Sequence, residues 1–114
     1  MVHTVEYLEG AYSVMLNSTD GVNFSFVGNI YSDFTDTHPQ GYFNPFLFKD
    51  PNTGRIILLQ QFENDTVEQV VIKIADSVSS LIEAESVVIG DTSEGIWSKA
   101  PSMFFHNETY WLLT

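Results

Sequence analysis

The chain has 114 residues, 44% hydrophobic and 14% aromatic, with 15 acidic residues against 4 Lys plus Arg and a formal net charge of -11. That is enough apolar material for one ordinary domain and too few cations to grip a nucleic-acid backbone or an anionic membrane surface. With no cysteine, disulfides and thiolate metal sites are excluded, and no apolar run approaches the ~18 residues of a bilayer-spanning helix.

In chain order, Glu6–Gly10 is polar or turn-like and has no assignment, and Tyr12–Leu16 reads as a short strand. Asn17-Ser18-Thr19-Asp20-Gly21 is a turn cluster with Asp-Gly as its hairpin signal, and Val22–Ile30 is the expected return strand, kinked or bulged at Gly28-Asn29. Tyr31–Tyr42 reads as a polar loop. Asn44–Phe48 and Arg55–Leu59, extended to Phe62, form a hairpin around the turn Lys49–Gly54. Glu63–Thr66 is a further turn, and Val70–Ile74 a third strand. Asp76–Glu85 is read as a loop into a fourth strand at Ser86–Ile89, in preference to a helical turn closed by Leu81 and Ile82. After the polar loop Gly90–Gly95, Ser102–Phe105 and Tyr110–Leu113 flank the turn His106-Asn107-Glu108-Thr109.

The last hairpin repeats the middle one. Setting Pro45 on Pro101 places Leu58-Leu59 on Leu112-Leu113, about 55 residues apart and near the ~40–50 of a four-stranded propeller blade. The expected fold is therefore all-β and antiparallel, about two blades of a β-propeller: the tail of one blade at 12–37, a complete blade at 43–90, and the front half of the next at 96–114. Two blades cannot close a ring. The faces of Val70-Val71-Ile72-Ile74 and Phe104-Phe105-Trp111 are expected to lack neighbours, and Tyr110–Thr114 to be an unpaired edge, so self-association is anticipated.

The two hairpins resemble the blade openings of the five-bladed β-propeller glycosidases of glycoside hydrolase family 43. There, one blade opens on an Arg-Asp-Pro-x-x-Phe type motif and the next on Glu-Ala-Pro-x-x-x-Lys, a short turn and Tyr-Tyr-Leu. Here the first reads Phe43-Asn44-Pro45-Phe46-Leu47-Phe48, and the second runs from Lys99-Ala100-Pro101 through Phe105 to Tyr110-Trp111-Leu112. With Ser18-Thr19-Asp20-Gly21-Val22-Asn23-Phe24, the chain is most similar to the galactan 1,3-β-galactosidase-like branch, over roughly Tyr12 to Thr114. The resemblance implies hydrolysis of plant-type polysaccharide by two flanking carboxyl groups, one protonating the leaving oxygen and one activating water. It puts the acid at Lys99 and the carboxylate that tunes it at Asn44. Neither residue is a carboxylate, and the base belongs to a blade outside this chain. A lysine near its ordinary pKa of ~10.4 transfers its proton poorly at neutral pH, so no intact catalytic residue is expected.

The functional expectation is a segment of a glycosidase without activity of its own, with a carbohydrate as partner. The competing readings are a carbohydrate-binding pseudoenzyme and a small β-sandwich interaction protein. Trp97, two residues before Lys99, is a candidate for stacking on a sugar ring, with a core role at least as natural. Four Asn-x-Ser/Thr sequons, at Asn17, Asn23, Asn64 and Asn107, point with the resemblance to an extracellular protein. The start MVHTVEYLEG nevertheless has neither the basic nor the apolar region of a signal peptide. No cofactor or metal is expected: His3, His38 and His106 lack ligand spacing. Asp33 and Asp36 read as a solvated acidic loop, and Asp50–Gly54 as a hairpin turn lacking the full ligand series of a calcium loop.

Overall fold

Strand-forming apolar runs separated by Gly, Pro, Asn and Asp leave hairpins as the structure these residues can close. The computed structural model describes residues 2–7, 10–30, 41–63, 67–91 and 99–114, and it is all-β with antiparallel sheets. The elements are β1 (Val2–Tyr7), β2 (Gly10–Asn17), β3 (Ser25–Ile30), β4 (Gly41–Lys49), β5 (Ile56–Glu63), β6 (Glu68–Ala75), α1 (Val78–Leu81), β7 (Val87–Asp91), β8 (Ser102–His106) and β9 (Thr109–Leu113).

Strands β4 to β7 form an antiparallel meander. β1, β2 and β3 form a second one, joined to the first by a single parallel pair, Ala11 with Gly41. β8 and β9 form a separate two-stranded sheet. The strand β1 was not expected. β3 starts three residues later than the sequence implied, because Asp20 holds the preceding backbone in the turn. Its Oδ1 accepts from the amides of Val22 and Asn23, each at 2.8 Å. Those amide bonds, followed by the Asn23 and Ser18 side chains, hold the Asp20 carboxyl far below its ordinary range. A bulge occurs just before the expected place: Gly28 and Asn29 pair regularly with Met15 and Val14, and Leu16 pairs with Phe26, leaving Val27 as the extra residue.

The segment read as a loop contains a helical turn, α1. Ser77 caps it, its side chain accepting from the Ser80 amide while the Ser80 side chain accepts from the Ser77 amide. Leu81 is fully buried, so the turn forms because it delivers an apolar side chain to the core.

The meander is covered on both faces. On one, Leu58 and Ala75 meet Met15 and Ile30 from β2–β3 and Leu81 from α1, and Gln60 Nε2 donates to Ser13 Oγ at 2.8 Å. On the other, Ile57, Ile72 and Ile74 face Met103 and Tyr110 of the β8–β9 hairpin. Val70 and Val71, expected to lack neighbours, are buried, whereas Phe104 and Trp111 are exposed. Lys73, a cation in a strand interior, is 1% exposed and its Nζ donates to the Ile82 carbonyl at 3.4 Å.

The β8–β9 turn has two residues, with Asn107 at φ 49 and Glu108 at φ 58 between the paired His106 and Thr109. Left-handed backbone at both places is the hairpin geometry that favours Asn-Gly. Replacing Glu108 with Gly is therefore expected to stabilise the protein by about 0.5–1 kcal/mol, read from the urea midpoint.

Candidate functional site

The two positions singled out by the family resemblance, Asn44 and Lys99, occur in one polar array. Asn44 sits at φ 49 in a bulge: Phe43 pairs with Gln61 and Phe46 with Leu59, so Asn44 and Pro45 together oppose Gln60. Ala100, its counterpart before Pro101, has φ 53. Both hairpins are thus entered through a left-handed residue preceding proline. This is costly for a residue with a Cβ and is the same device at equivalent places.

The bulge turns Asn44 toward β5, where its Nδ2 donates to Gln61 Oε1 at 2.9 Å. Gln61 Nε2 donates in turn to Glu63 Oε2 at 3.0 Å. Lys99 Nζ stands 3.8 Å from that same oxygen and 3.1 Å from Glu68 Oε1. Glu63 and Glu68 are a directly opposed cross-strand pair, a like-charge arrangement that is unfavourable unless a cation neutralises it. Lys99 supplies that cation from the loop before β8. Its hydrogen bond to Glu68, then the charges of Glu63 and Glu68, raise its pKa above the ordinary lysine value. Lys99 therefore holds its proton more firmly than a free lysine and is unsuited to acid catalysis at neutral pH. Its side chain is 68% exposed, so its remaining donors reach solvent. Glu68 Oε2 is buried without a hydrogen-bond partner.

At the opposite end of the same interlayer face lies a cavity of about 270 Å³, with Ile57, Ile72, Ile74 and Met103 as its apolar walls and Asp50, Thr53, Arg55 and Tyr110 as its polar end. Tyr110 Oη donates to Asp50 Oδ2 at 2.6 Å, and that oxygen also accepts from Thr53 Oγ1. Asp50 Oδ1 accepts from the Asn52 amide at 2.9 Å. Burial pushes the Asp50 carboxyl up, but the bonds from Thr53, Tyr110 and Asn52 outweigh it and leave the pKa lowered. The Asp50 carboxylate is committed to its hairpin turn and to clasping β9, in line with the turn reading of Asp50–Gly54.

Of the residues named from sequence, Asn44 and Lys99 are linked through Gln61 and Glu63. Trp97, Asn64, Asp33, Asp36 and His38, and the side chain of His3, lie outside the described residues. The sequon residues Asn17, Asn23 and Asn107 are exposed, although Asn23 Nδ2 donates to Asp20 Oδ2 at 2.8 Å. Among the described residues no group of three or more His, Cys, Asp or Glu could hold a metal, and no helix is long and apolar enough to cross a membrane. Gln61, Glu63, Glu68 and the Asp50–Tyr110 bond were missed. The Glu63–Glu68 pair was not legible, because the turn expected at Glu63–Thr66 takes Glu63 out of the strand, whereas Glu63 closes β5 opposite Glu68. No protein-family model matches the chain, and no curated protein or solved structure matches it significantly.

Proposed function

We propose that this chain is a carbohydrate-recognising part of a glycoside hydrolase family 43-like β-propeller, of the galactan 1,3-β-galactosidase-like branch, that does not hydrolyse glycosides by itself. The observation carrying this reading is the polar array from Asn44 to Lys99, at the entry end of a four-stranded meander covered by the next hairpin. In such a propeller the meander is one blade and β8–β9 opens the next. The acid position is occupied by an amine locked between Glu63 and Glu68, and the tuning position by an amide spent on Gln61. An array of this kind offers sugar hydroxyls both donors and acceptors without a transferable proton. The exposed sequons at Asn17 and Asn107 agree with an extracellular setting.

The protein is expected to release no reducing sugar from β-1,3-galactan or arabinan. The double change Lys99→Glu with Asn44→Asp is expected to restore none, because no base is added. Binding of β-1,3-galacto-oligosaccharides, followed by calorimetry, should be lost in Lys99→Met. Turnover by protein free of contaminating enzyme would refute the inactive assignment, and absence of any glycan binding would refute the carbohydrate one.

A second reading, a small layered β-protein serving protein interaction, draws on one observation. The parallel pair Ala11 with Gly41 joins the first three strands to the meander by hydrogen bonds, whereas propeller blades are separate sheets packed around a ring.

A further inference from the structure

The cavity at the Asp50–Tyr110 end of the interlayer space takes its floor and its roof from different layers. Ile57 and Ile74 are cross-strand partners on β5 and β6, Ile72 follows Ile74 on the same face, and Met103 comes from β8 opposite them. Ile74 is 38% exposed, so the space is reached from its side. An empty apolar space leaves its lining without dispersion partners. A cavity of about 150 Å³ with such walls holds a benzene ring. At about 270 Å³, this one has room on the same scale for roughly ten non-hydrogen atoms.

The polar end decides what head group such an occupant carries. Asp50 accepts from Asn52, Thr53 and Tyr110, and Thr53 Oγ1 accepts from the Arg55 amide at 3.3 Å. The hydroxyl protons of Thr53 and Tyr110 are both spent on Asp50. Arg55 Nε donates to Asp76 Oδ1 at 3.1 Å, in an ion pair at the surface. A guanidinium has further donors, and those on the Arg55 Nη atoms make no hydrogen bond among the described residues. The donors left at this end therefore belong to Arg55, and the head that meets them is an acceptor. Charge narrows it further. The single cation is flanked by two carboxylates, Asp50 and Asp76, in a chain of net charge -11. An anionic head is opposed there, and an uncharged carbonyl is not.

We propose that this cavity binds a small uncharged molecule with an aliphatic body and a carbonyl head, of the class of medium-chain ketones, amides and esters. The body lies between the isoleucines and Met103, and the carbonyl oxygen accepts from the Arg55 guanidinium. Branched side chains form a firm floor, and the unbranched thioether of Met103 adapts to the chain beneath it. The polar array from Asn44 to Lys99 lies at the opposite end of the face, so the proposal does not depend on carbohydrate recognition.

Calorimetric titration at pH 7 with 2-nonanone and with nonanoate, which have similar bodies and different heads, tests it. The ketone is expected to bind with a dissociation constant of about 1 mM or below, and nonanoate at least ~5-fold more weakly. Arg55→Met keeps the stem and removes the donors, and should weaken the ketone about 10-fold. Asp76→Asn should leave the ketone within ~2-fold, because the surface ion pair contributes little, and bring nonanoate closer to it. Ile72→Phe fills the floor and should abolish binding of both. If Ile72→Phe alters the circular dichroism spectrum, Arg55→Met, at a half-exposed side chain, carries the reading alone. No binding of 2-nonanone up to its solubility, tighter binding of nonanoate, or ketone binding indifferent to the changes at Arg55 and Ile72 would overturn the proposal.

Discussion

Leu58→Ala is expected to cost about 3–5 kcal/mol, the upper part of the range for truncating a fully buried leucine. Leu58 is 0% exposed in the central strand β5 and meets Met15, Ile30 and Leu81, which arrive from three separate elements. Partners held by different elements cannot all close on the vacated volume, so a cavity remains beside the lost transfer energy. A domain of this size has about 5–15 kcal/mol in total, so the variant would stand near the limit of folding at 37 °C. Urea unfolding at fixed protein concentration checks it, because any pairing of copies adds a concentration-dependent term. Leu47→Ala, at a position 38% exposed on β4, should cost far less. Equal losses at the two positions would mean that the core is not centred on Leu58.

Asp50→Ala is expected to lower the melting temperature by on the order of 10 °C, and Tyr110→Phe by less than half of that. Asp50 is 2% exposed and satisfies the Asn52 amide, the Thr53 hydroxyl and the Tyr110 hydroxyl. Its loss undoes the turn and the clasp together, whereas Tyr110→Phe removes only the clasp. The pH dependence has two limbs. The folded pKa of Asp50 lies below its ordinary value, so its stabilisation is fully present above about pH 3.9 and disappears as pH falls through the depressed value. The hydrogen bond to Asp50 raises the pKa of Tyr110, so its contribution is fully present below about pH 10 and disappears as pH rises through the raised value. Stability attributable to the clasp should therefore be flat near neutrality and fall at both extremes. Subtracting the Tyr110→Phe profile from that of the unmodified protein isolates it, since Asp20 also contributes to the acid limb. A difference profile that does not change from acid to alkaline pH would exclude the clasp.

Elements set by neighbouring residues were legible in the sequence. The hairpin turns at Asp20-Gly21, Asp50–Gly54 and Asn107-Glu108 follow from side chains that bond adjacent backbone or tolerate left-handed dihedrals. The duplicated hairpin followed from an apolar and proline pattern, and its two prolines are preceded by the same left-handed backbone at Asn44 and Ala100. The short helix was not expected, because a loop leading into a fourth strand at Ser86–Ile89 suits a four-stranded blade better than a helical turn closed by Leu81 and Ile82. It forms through a reciprocal serine cap and the burial of Leu81, and the second of these depends on a core assembled from distant strands.

By itself, then, the sequence determined an all-β chain, most of its strands and the repetition of one hairpin. Alternation and turn chemistry act over a few residues and need no partner. Tertiary structure alone decided which faces are covered. β5 is apolar on both sides from Ile57 to Leu59, so alternation along it cannot tell the face taken by β2–β3 and α1 from the face taken by β8–β9. It also decided the polar partners: Tyr110 reaches Asp50 across 60 positions, and Lys99 reaches Glu68 across 31. Those bonds exist because the β8–β9 hairpin lies on the meander. Sequence separation carries no trace of that contact, since its free energy arises from layers that meet only after each has formed.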